Sequence, residues 1–513
     1  MKPALRVAVV ITTMWMAVPL LMRADAPFES GAAETQLRLG DLLAAQGRYI
    51  EAFNAYARLL IINDPAVLVP ARKGVVRTGL RTGNLGMAVE QAGFLMQGSP
   101  LDPEVLGLYG DAMWATGLFG EAESAYRESA SIDPRHARAR RGIARALTGK
   151  SRLTEALGEA AMAAALAPGD AEVHQTLGYV HERLRNYREA AREFSTVLEL
   201  LPPRDFGLQA SMLRSQVAYL RSFGKKRPYE IKQPRDVRFH VVPFREVRGK
   251  IVIPVRLNGS GPVEMVVDTG AEQTVLSRRS AQRYGVKALV STLTAGVGEI
   301  GLRGVETGTL ESLEIGALRV NNVPCLIKNP PLAAIPTRED DSISPPALGL
   351  SMRIDYGRRV MVIGTSLPED GPADVEMPLY NNRLVTVRGL LNDAQAANFL
   401  VDTGGEVISI SSATARSLTR PPAGRLIPLK VYGVSGWDPT AYLLPGIDLA
   451  FHDIRFTNFS VVVLDLEAPS LLLGYQLGGI VGHAFLSKYR VDIDLERSVL
   501  RLKRLEPAAA KGL

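Results

Sequence analysis

The 513-residue sequence contains one cysteine, Cys325, so no internal disulfide can form and no cysteine-based metal spacing exists. Cys325 stands in the apolar run VPCLI and reads as a buried structural thiol. The six histidines are scattered, without HExxH spacing, and no GxSxG occurs. The signatures of zinc peptidases and serine hydrolases are therefore missing. His483 beside Gly482 reads as an ordinary packed or surface histidine. The net charge of +7 is spread without a dense Lys/Arg block, so the basic balance reads as a solvated surface and no nucleic-acid partner is expected. No metal and no cofactor are expected. What is present is ordinary globular material, 46% hydrophobic and 22% charged, in a chain long enough for two or three domains.

At the N-terminus, Lys2 and Arg6 precede an apolar stretch from Val7 to Met22, followed by the small residues of Ala24-Asp25-Ala26. Residues 1–26 read as a signal peptide, with an uncleaved membrane anchor as the alternative. Either way the bulk of the chain is expected to be exported. No cysteine follows the apolar run, so a lipid anchor is not expected.

From residue 33 to residue 205 the sequence is rich in Ala, Leu, Glu and Arg. Pro100, Pro134, Pro168 and Pro202 recur every 34 residues, as do Ala88, Ala122, Ala156 and Ala190. Ala92, Tyr126, Ala160 and Phe194 follow in phase, and Gly110, Ala144 and Gly178 fall in the preceding helix. This pattern resembles tetratricopeptide repeats, about five of them. The resemblance implies stacked helix pairs that bind a peptide or partner protein, with a structural spacer as the alternative. Residues 206–223 are expected to cap the array as a helix, and the charged, proline-containing stretch 224–236 to serve as a linker.

Beyond residue 237 the pattern turns to short alternating or apolar runs broken by Gly, Pro and Asn, which predicts an all-β region. This region is duplicated. Asp268-Thr269-Gly270 follows MVV, and Asp402-Thr403-Gly404 follows FLV, 134 residues later. Ala347-Leu348-Gly349 is set against Ile480-Val481-Gly482, and RIDYGRRVMVI against DIDLERSVLRL. Lobe 1 is placed at 237–370 and lobe 2 at 371–506. Each lobe holds a glycine-rich turn between extended residues, one containing Gly296, Val297 and Gly298, the other Gly433, Val434, Ser435, Gly436 and Trp437. Glycine permits tight, mobile hairpin tips. Trp437 could cover a substrate or pack on its own lobe.

Two Asp-Thr-Gly motifs, each followed by an apolar-apolar-Gly element, resemble aspartic proteases. The short lobes look like the retropepsin-like branch found in exported bacterial proteins, which implies a periplasmic location. The resemblance implies an all-β bilobal domain whose two lobes pair within one chain. It implies catalytic roles for Asp268 and Asp402, and Thr269 and Thr403 bonded across the lobe interface. Gly270, Gly404, Gly349 and Gly482 would support the active-site loops, and the two glycine-rich turns would be flaps closing over a polypeptide substrate. The sequence departs from the family pattern at Gly405, where Ala271 fills the first site, and at Ser351 and Ala484, where Asp or Asn is common.

The implied fold is thus an all-α repeat solenoid followed by an all-β bilobal protease domain. The implied activity is that of an aspartic endopeptidase in which two close carboxylates share one proton, activate a water and protonate the leaving amine. The rival reading is a catalytically inactive peptide-binding scaffold that uses the repeats and a degenerate cleft.

Overall fold

In the computed structural model the described residues are 30–202, 207–234, 236–298, 301–328, 341–418, 426–433 and 435–505. The expected signal segment lies outside them, and among the described residues no helix is long and apolar enough to cross a membrane.

The first half is a run of paired helices: Ser30–Ala45 with Tyr49–Ala57, Pro65–Thr82 with Leu85–Gly98, Pro103–Ala115 with Phe119–Ile132, Ala137–Gly149 with Leu153–Leu166, and Ala171–Arg183 with Tyr187–Leu200. Aspartates set several starts. The side chains of Asp64, Asp102 and Asp170 accept from the free amides of the first turn, and Pro65 and Pro103 occupy positions where no N–H is needed. The repeated small and aromatic positions are explained by packing. A β-carbon on Gly110 or Gly142 would lie 2.5 or 2.3 Å from the Tyr126 ring, and one on Gly178 would lie 2.6 Å from Phe194. Tyr126 is fully buried, and its hydroxyl donates to Asp111 at 2.7 Å. The last helix, Leu208–Ser222, covers the apolar edge of the fifth pair through Leu213, Val217 and Leu220.

The stretch expected as a linker is more ordered than that reading. Glu230–Lys232 forms an antiparallel strand on Leu318–Ile327, with Ile231 opposite Val320, and so joins the first β lobe.

The two β lobes share one plan. In lobe 1 the strand Ser342–Ile343 runs parallel to Val263–Val267 and antiparallel to Thr274–Leu276. In lobe 2 Gly479–Val481 sits in the same way between Gln395–Val401 and Ser409–Ser411. The predicted closing hairpins, Ser351–Asp355 with Val360–Gly364 and Tyr489–Asp494 with Val499–Arg504, are present in both lobes. They pair with each other, Arg353 opposite Asp492, and Phe239–Pro243 and Val375–Asn382 extend them into a six-stranded bridge between the lobes. At its centre the buried Arg353 guanidinium makes two 2.7 Å bonds to the Asp492 carboxylate, a fork that fixes register as well as charge.

The array is docked against both lobes by the turns inside its helix pairs. Phe119 packs on Trp114, Tyr380 and Tyr475, and the Gln476 amide donates to the Ala115 carbonyl at 2.8 Å. The Ser498 hydroxyl donates to the Lys150 carbonyl, and the Tyr219 hydroxyl of the last helix donates to Gly308 of lobe 1 at 2.8 Å. One apolar cluster runs from Val105 and Leu147 of the array to Leu400 and Ile480 of lobe 2.

Candidate active site

Each catalytic-type aspartate ends a buried strand. The amide of Asp268 donates to the Ile343 carbonyl at 2.9 Å, and that of Asp402 to Val481 at 3.0 Å. The chain then turns tightly, so the Gly270 amide donates to Asp268 Oδ1 at 3.0 Å and the Gly404 amide to Asp402 Oδ1 at 2.8 Å.

The two loops interlock through their threonines. Thr269 Oγ1 donates to the Val401 carbonyl at 2.6 Å and accepts from the Thr403 amide at 3.0 Å. Thr403 Oγ1 donates to Val267 at 2.8 Å and accepts from the Thr269 amide at 3.1 Å. Both side chains are buried, so each hydroxyl uses its donor and one acceptor where water cannot substitute. The interlock lays each glycine against the opposite carboxylate. A β-carbon on Gly270 would lie 2.7 Å from Asp402 Oδ1, and one on Gly404 would lie 2.6 Å from Asp268 Oδ1.

The two carboxyl groups are close enough for each to act on the ionisation of the other. Burial raises both above the ordinary carboxylate range. Asp402 is pushed up to about 7 because it also faces the charge of Asp268, whereas the Lys250 ammonium opposes the rise of Asp268. Two like charges this close cannot both form readily, so the pair retains a proton well above the usual carboxylate pKa. Among the described residues no cluster of His, Cys, Asp and Glu is arranged to hold a metal.

The flap candidates meet each other at their tips. The first is the hairpin Ala288–Ala295 with Leu302–Ile315, whose tip carries Gly296, Val297 and Gly298. The second is Val431–Gly433 with Gly436–Asp438, and Val434 lies outside the described residues. Ser435 is fully buried, and its amide donates to the Val297 carbonyl at 3.0 Å. The tips overlap so closely that a β-carbon on Gly433 would stand 2.1 Å from the Val297 carbonyl oxygen. Trp437 packs within its own hairpin, beside Tyr432 and under Lys430, and is 38% exposed.

One sequence correspondence is corrected. Register from the Asp268 and Asp402 amides makes Ile343 the counterpart of Val481, so the residue matching Gly482 is Ser344, not Gly349. Gly349 lies further on, at φ +76°, facing Arg185 of the array. Ser351 opens the interlobe strand, where its hydroxyl accepts from the Leu495 amide, and is not paired in position with Ala484. The departure at Gly405 also has a reason. A β-carbon there would lie 2.8 Å from Asp402 Oδ2, so the methyl group that Ala271 carries in lobe 1 would here force the carboxylate or the loop to shift. Cys325 is buried in a strand, as expected.

The sequence reading missed Glu272 and Arg383. Arg383, at φ +71° in a turn of lobe 2, donates through Nε to Glu272 at 2.7 Å and through Nη1 to the Leu472 carbonyl. The internal period repeats Glu272 as Glu406 but sets Arg383 against Gly249, so it offers a signal for the glutamate and none for its partner.

Comparison with known proteins follows the same division. Residues 253–335 match the family described as "gag-polyprotein putative aspartyl protease", residues 385–482 match "Aspartyl protease", and residues 109–171 match "Tetratricopeptide repeat". No curated protein matches the chain. Among solved structures, a thermophilic repeat protein of Thermus thermophilus, TTC0263, is 22% identical over 37% of this chain and 98% of its own, with a TM-score of 0.31. PilF of Pseudomonas aeruginosa is 14% identical over 37% of this chain and 85% of its own, with a TM-score of 0.28. YrrB, described as a repeat protein with an unusual peptide-binding site, is 16% identical over 35% and 91%, with a TM-score of 0.23. The chain is built from an N-terminal tetratricopeptide-repeat array and two aspartyl-protease lobes of the retropepsin-like kind.

Proposed function

We propose that this chain is an aspartic endopeptidase with one active site, formed by Asp268 and Asp402 of its two lobes. The observation that carries this reading is the reciprocal threonine interlock, which lays the glycine of each loop against the carboxylate of the other. A pure binding cleft has no use for two carboxyl groups pressed together at the cost of their ionisation. In the working cycle the ionised member takes a proton from a water held between the two. The resulting hydroxide attacks the peptide carbonyl, whose oxygen receives a hydrogen bond from the protonated member. That proton then passes toward the leaving amine. Gly296, Val297, Gly298, Gly433, Ser435 and Gly436 form the flaps that part to admit an extended peptide. The array presents a polypeptide substrate or partner, and the protein works after export, in the periplasm, with or without retention of its N-terminal segment in the membrane.

The test is cleavage of unfolded protein and short peptides by the full chain at mildly acidic pH, with and without pepstatin. Pepstatin-sensitive cleavage that disappears in both Asp268→Asn and Asp402→Asn is the expected result. Full activity in either variant would overturn the shared dyad.

A further inference from the structure

The two catalytic loops are anchored differently, and the difference leads into the array. With Ile343 matched to Val481, the next residues of lobe 1, Ser344-Pro345-Pro346, match Gly482-His483-Ala484 of lobe 2. In lobe 2 the His483 amide donates to the Gly405 carbonyl at 2.8 Å and the Ala484 amide to the Glu406 carbonyl at 2.9 Å. These two bonds tie the loop just after Asp402 to its own lobe. Proline has no N–H, so Pro345 and Pro346 cannot make the equivalent bonds to Ala271 and Glu272.

Lobe 1 is held from outside instead. Arg383 of lobe 2 grips the Glu272 carboxylate. From the array, the turn after Ala171–Arg183 brings in Arg185, whose Nη2 donates to the Leu348 carbonyl at 2.6 Å and whose Nη1 donates to the Tyr229 carbonyl. Its guanidinium lies 4.8 Å from the Tyr229 ring centre. The Leu348 amide donates in turn to the Ser344 carbonyl at 3.1 Å, one residue beyond the Ile343 carbonyl that holds Asp268. Gly349 makes room for this contact, since a β-carbon there would stand 2.5 Å from Arg185 Nη2. Arg185 adopts a left-handed φ of +65°, the turn conformation that Gly83, Gly117 and Ser151 take at the same place in the preceding repeats, so the repeat itself aims this side chain at lobe 1. Two residues earlier, Arg183 Nη1 donates to the Asn381 carbonyl at 2.5 Å, so the same corner of the array touches both lobes.

We infer that Arg185, at this corner of the array, is a positioning residue for the first catalytic loop, replacing a brace that Pro345 and Pro346 cannot supply. The repeats are then part of the catalytic unit and do more than recruit. This inference rests on the proteolytic reading of the dyad for its kinetic test.

The experiment uses the full chain and a peptide too short to reach the array. Losing a charge-assisted bond of this kind in Arg185→Ala should lower kcat about tenfold or more, with KM within about twofold. Arg185→Lys, which keeps the cation but loses the fork, should fall between. Adding Pro346→Ala supplies an amide at the position where Ala484 holds the Glu406 carbonyl in lobe 2, and should recover most of the lost kcat. Unchanged kcat in Arg185→Ala, a loss confined to KM, or no recovery in the double variant would overturn the inference. Amide hydrogen exchange reads the brace without activity. Gly270 and Ala271 should exchange faster in Arg185→Ala while Gly404 and Gly405 do not, and equal change in both loops would overturn it. Wild-type protein that cleaves no peptide would sink the proteolytic reading alone, and exchange would still decide the brace.

Discussion

Lobe 1 and lobe 2 present the same chemistry on the same strands yet secure it by different means. Beyond the threonine interlock that both loops share, lobe 2 braces its own loop, because its amides at His483 and Ala484 hold the Gly405 and Glu406 carbonyls. Lobe 1 carries prolines at those places and depends on Arg383 from its partner lobe and on Arg185 from the repeats. Duplicating a lobe within one chain allows this asymmetry. Once one copy holds the site together, the other is free to take its support from a new domain, and the state of that domain then reaches the catalytic loop.

The asymmetry should stop at the supports and leave the chemistry shared. Asp268→Asn and Asp402→Asn should each reduce kcat/KM on a peptide by about a thousandfold or more, in line with loss of a general acid or base. A large loss in one variant beside a small one in the other would extend the difference between lobes to the dyad itself. Lobe pairing should also be symmetric. Thr269→Val and Thr403→Val each leave a buried carbonyl and a buried amide unpaired, worth about 2 to 4 kcal/mol of unfolding free energy. Denaturant unfolding of the two variants should give matching losses, and unequal ones would show that the interlock is also one-sided.

Much of this was legible in the sequence, because the relevant signals are periodic. The 34-residue step gives the helix pairs, since the same small and aromatic residues must meet in every repeat, as Tyr126 meets Gly110 and Gly142. The 134-residue spacing of Asp268 and Asp402 gives the duplicated lobes. The misreading of Gly349 has a physical cause. Ala347-Leu348-Gly349 has the right local pattern, but the place beside Asp268 belongs to Ser342-Ile343-Ser344, whose register is set by a hydrogen bond to a distant amide. Arg383 with Glu272 and Arg185 with Leu348 are separated by 111 and 163 residues, so no local pattern announces either pair. Trp437 was undecidable because a strand pattern does not say which neighbour an exposed ring will choose.

A smaller effect separates the loops at a single methyl group. Gly405→Ala would place a β-carbon 2.8 Å from Asp402 Oδ2, closer than such contacts stand, so the carboxylate or the loop must move. Since the Gly405 carbonyl is fixed by the His483 amide, the shift should fall on Asp402, with a loss of about tenfold in kcat. Ala271→Gly removes a methyl that lobe 1 already tolerates and should change kcat by less than about twofold. Equal responses would mean that the two loops are not distinguished at the carboxylates.

The smallest expected effect concerns the array side of the brace and its response to pH. Glu182 lies on the helix that ends at Arg183, and its carboxylate accepts from Gln216 of the last helix at 2.7 Å. Arg383 and Glu272 of the two lobes, Arg183 of its own helix, and Tyr179, Tyr187, Tyr219 and Tyr229 share its surroundings. Burial raises its pKa from 4.5 to about 7 against the opposing pull of Arg383. The folded chain therefore binds this proton more tightly than the unfolded chain. The contribution to stability is complete below about pH 4.5 and is lost as pH rises through about 7. Glu182→Gln keeps the neutral form at every pH. It should match the wild type near pH 4.5 and unfold at modestly higher denaturant near pH 8, with the gap opening across the interval between them. A gap of constant size would place the difference in packing rather than titration. A gap of opposite sign would mean that the attraction of Arg383 outweighs burial, making the charged form of Glu182 the stabilising one.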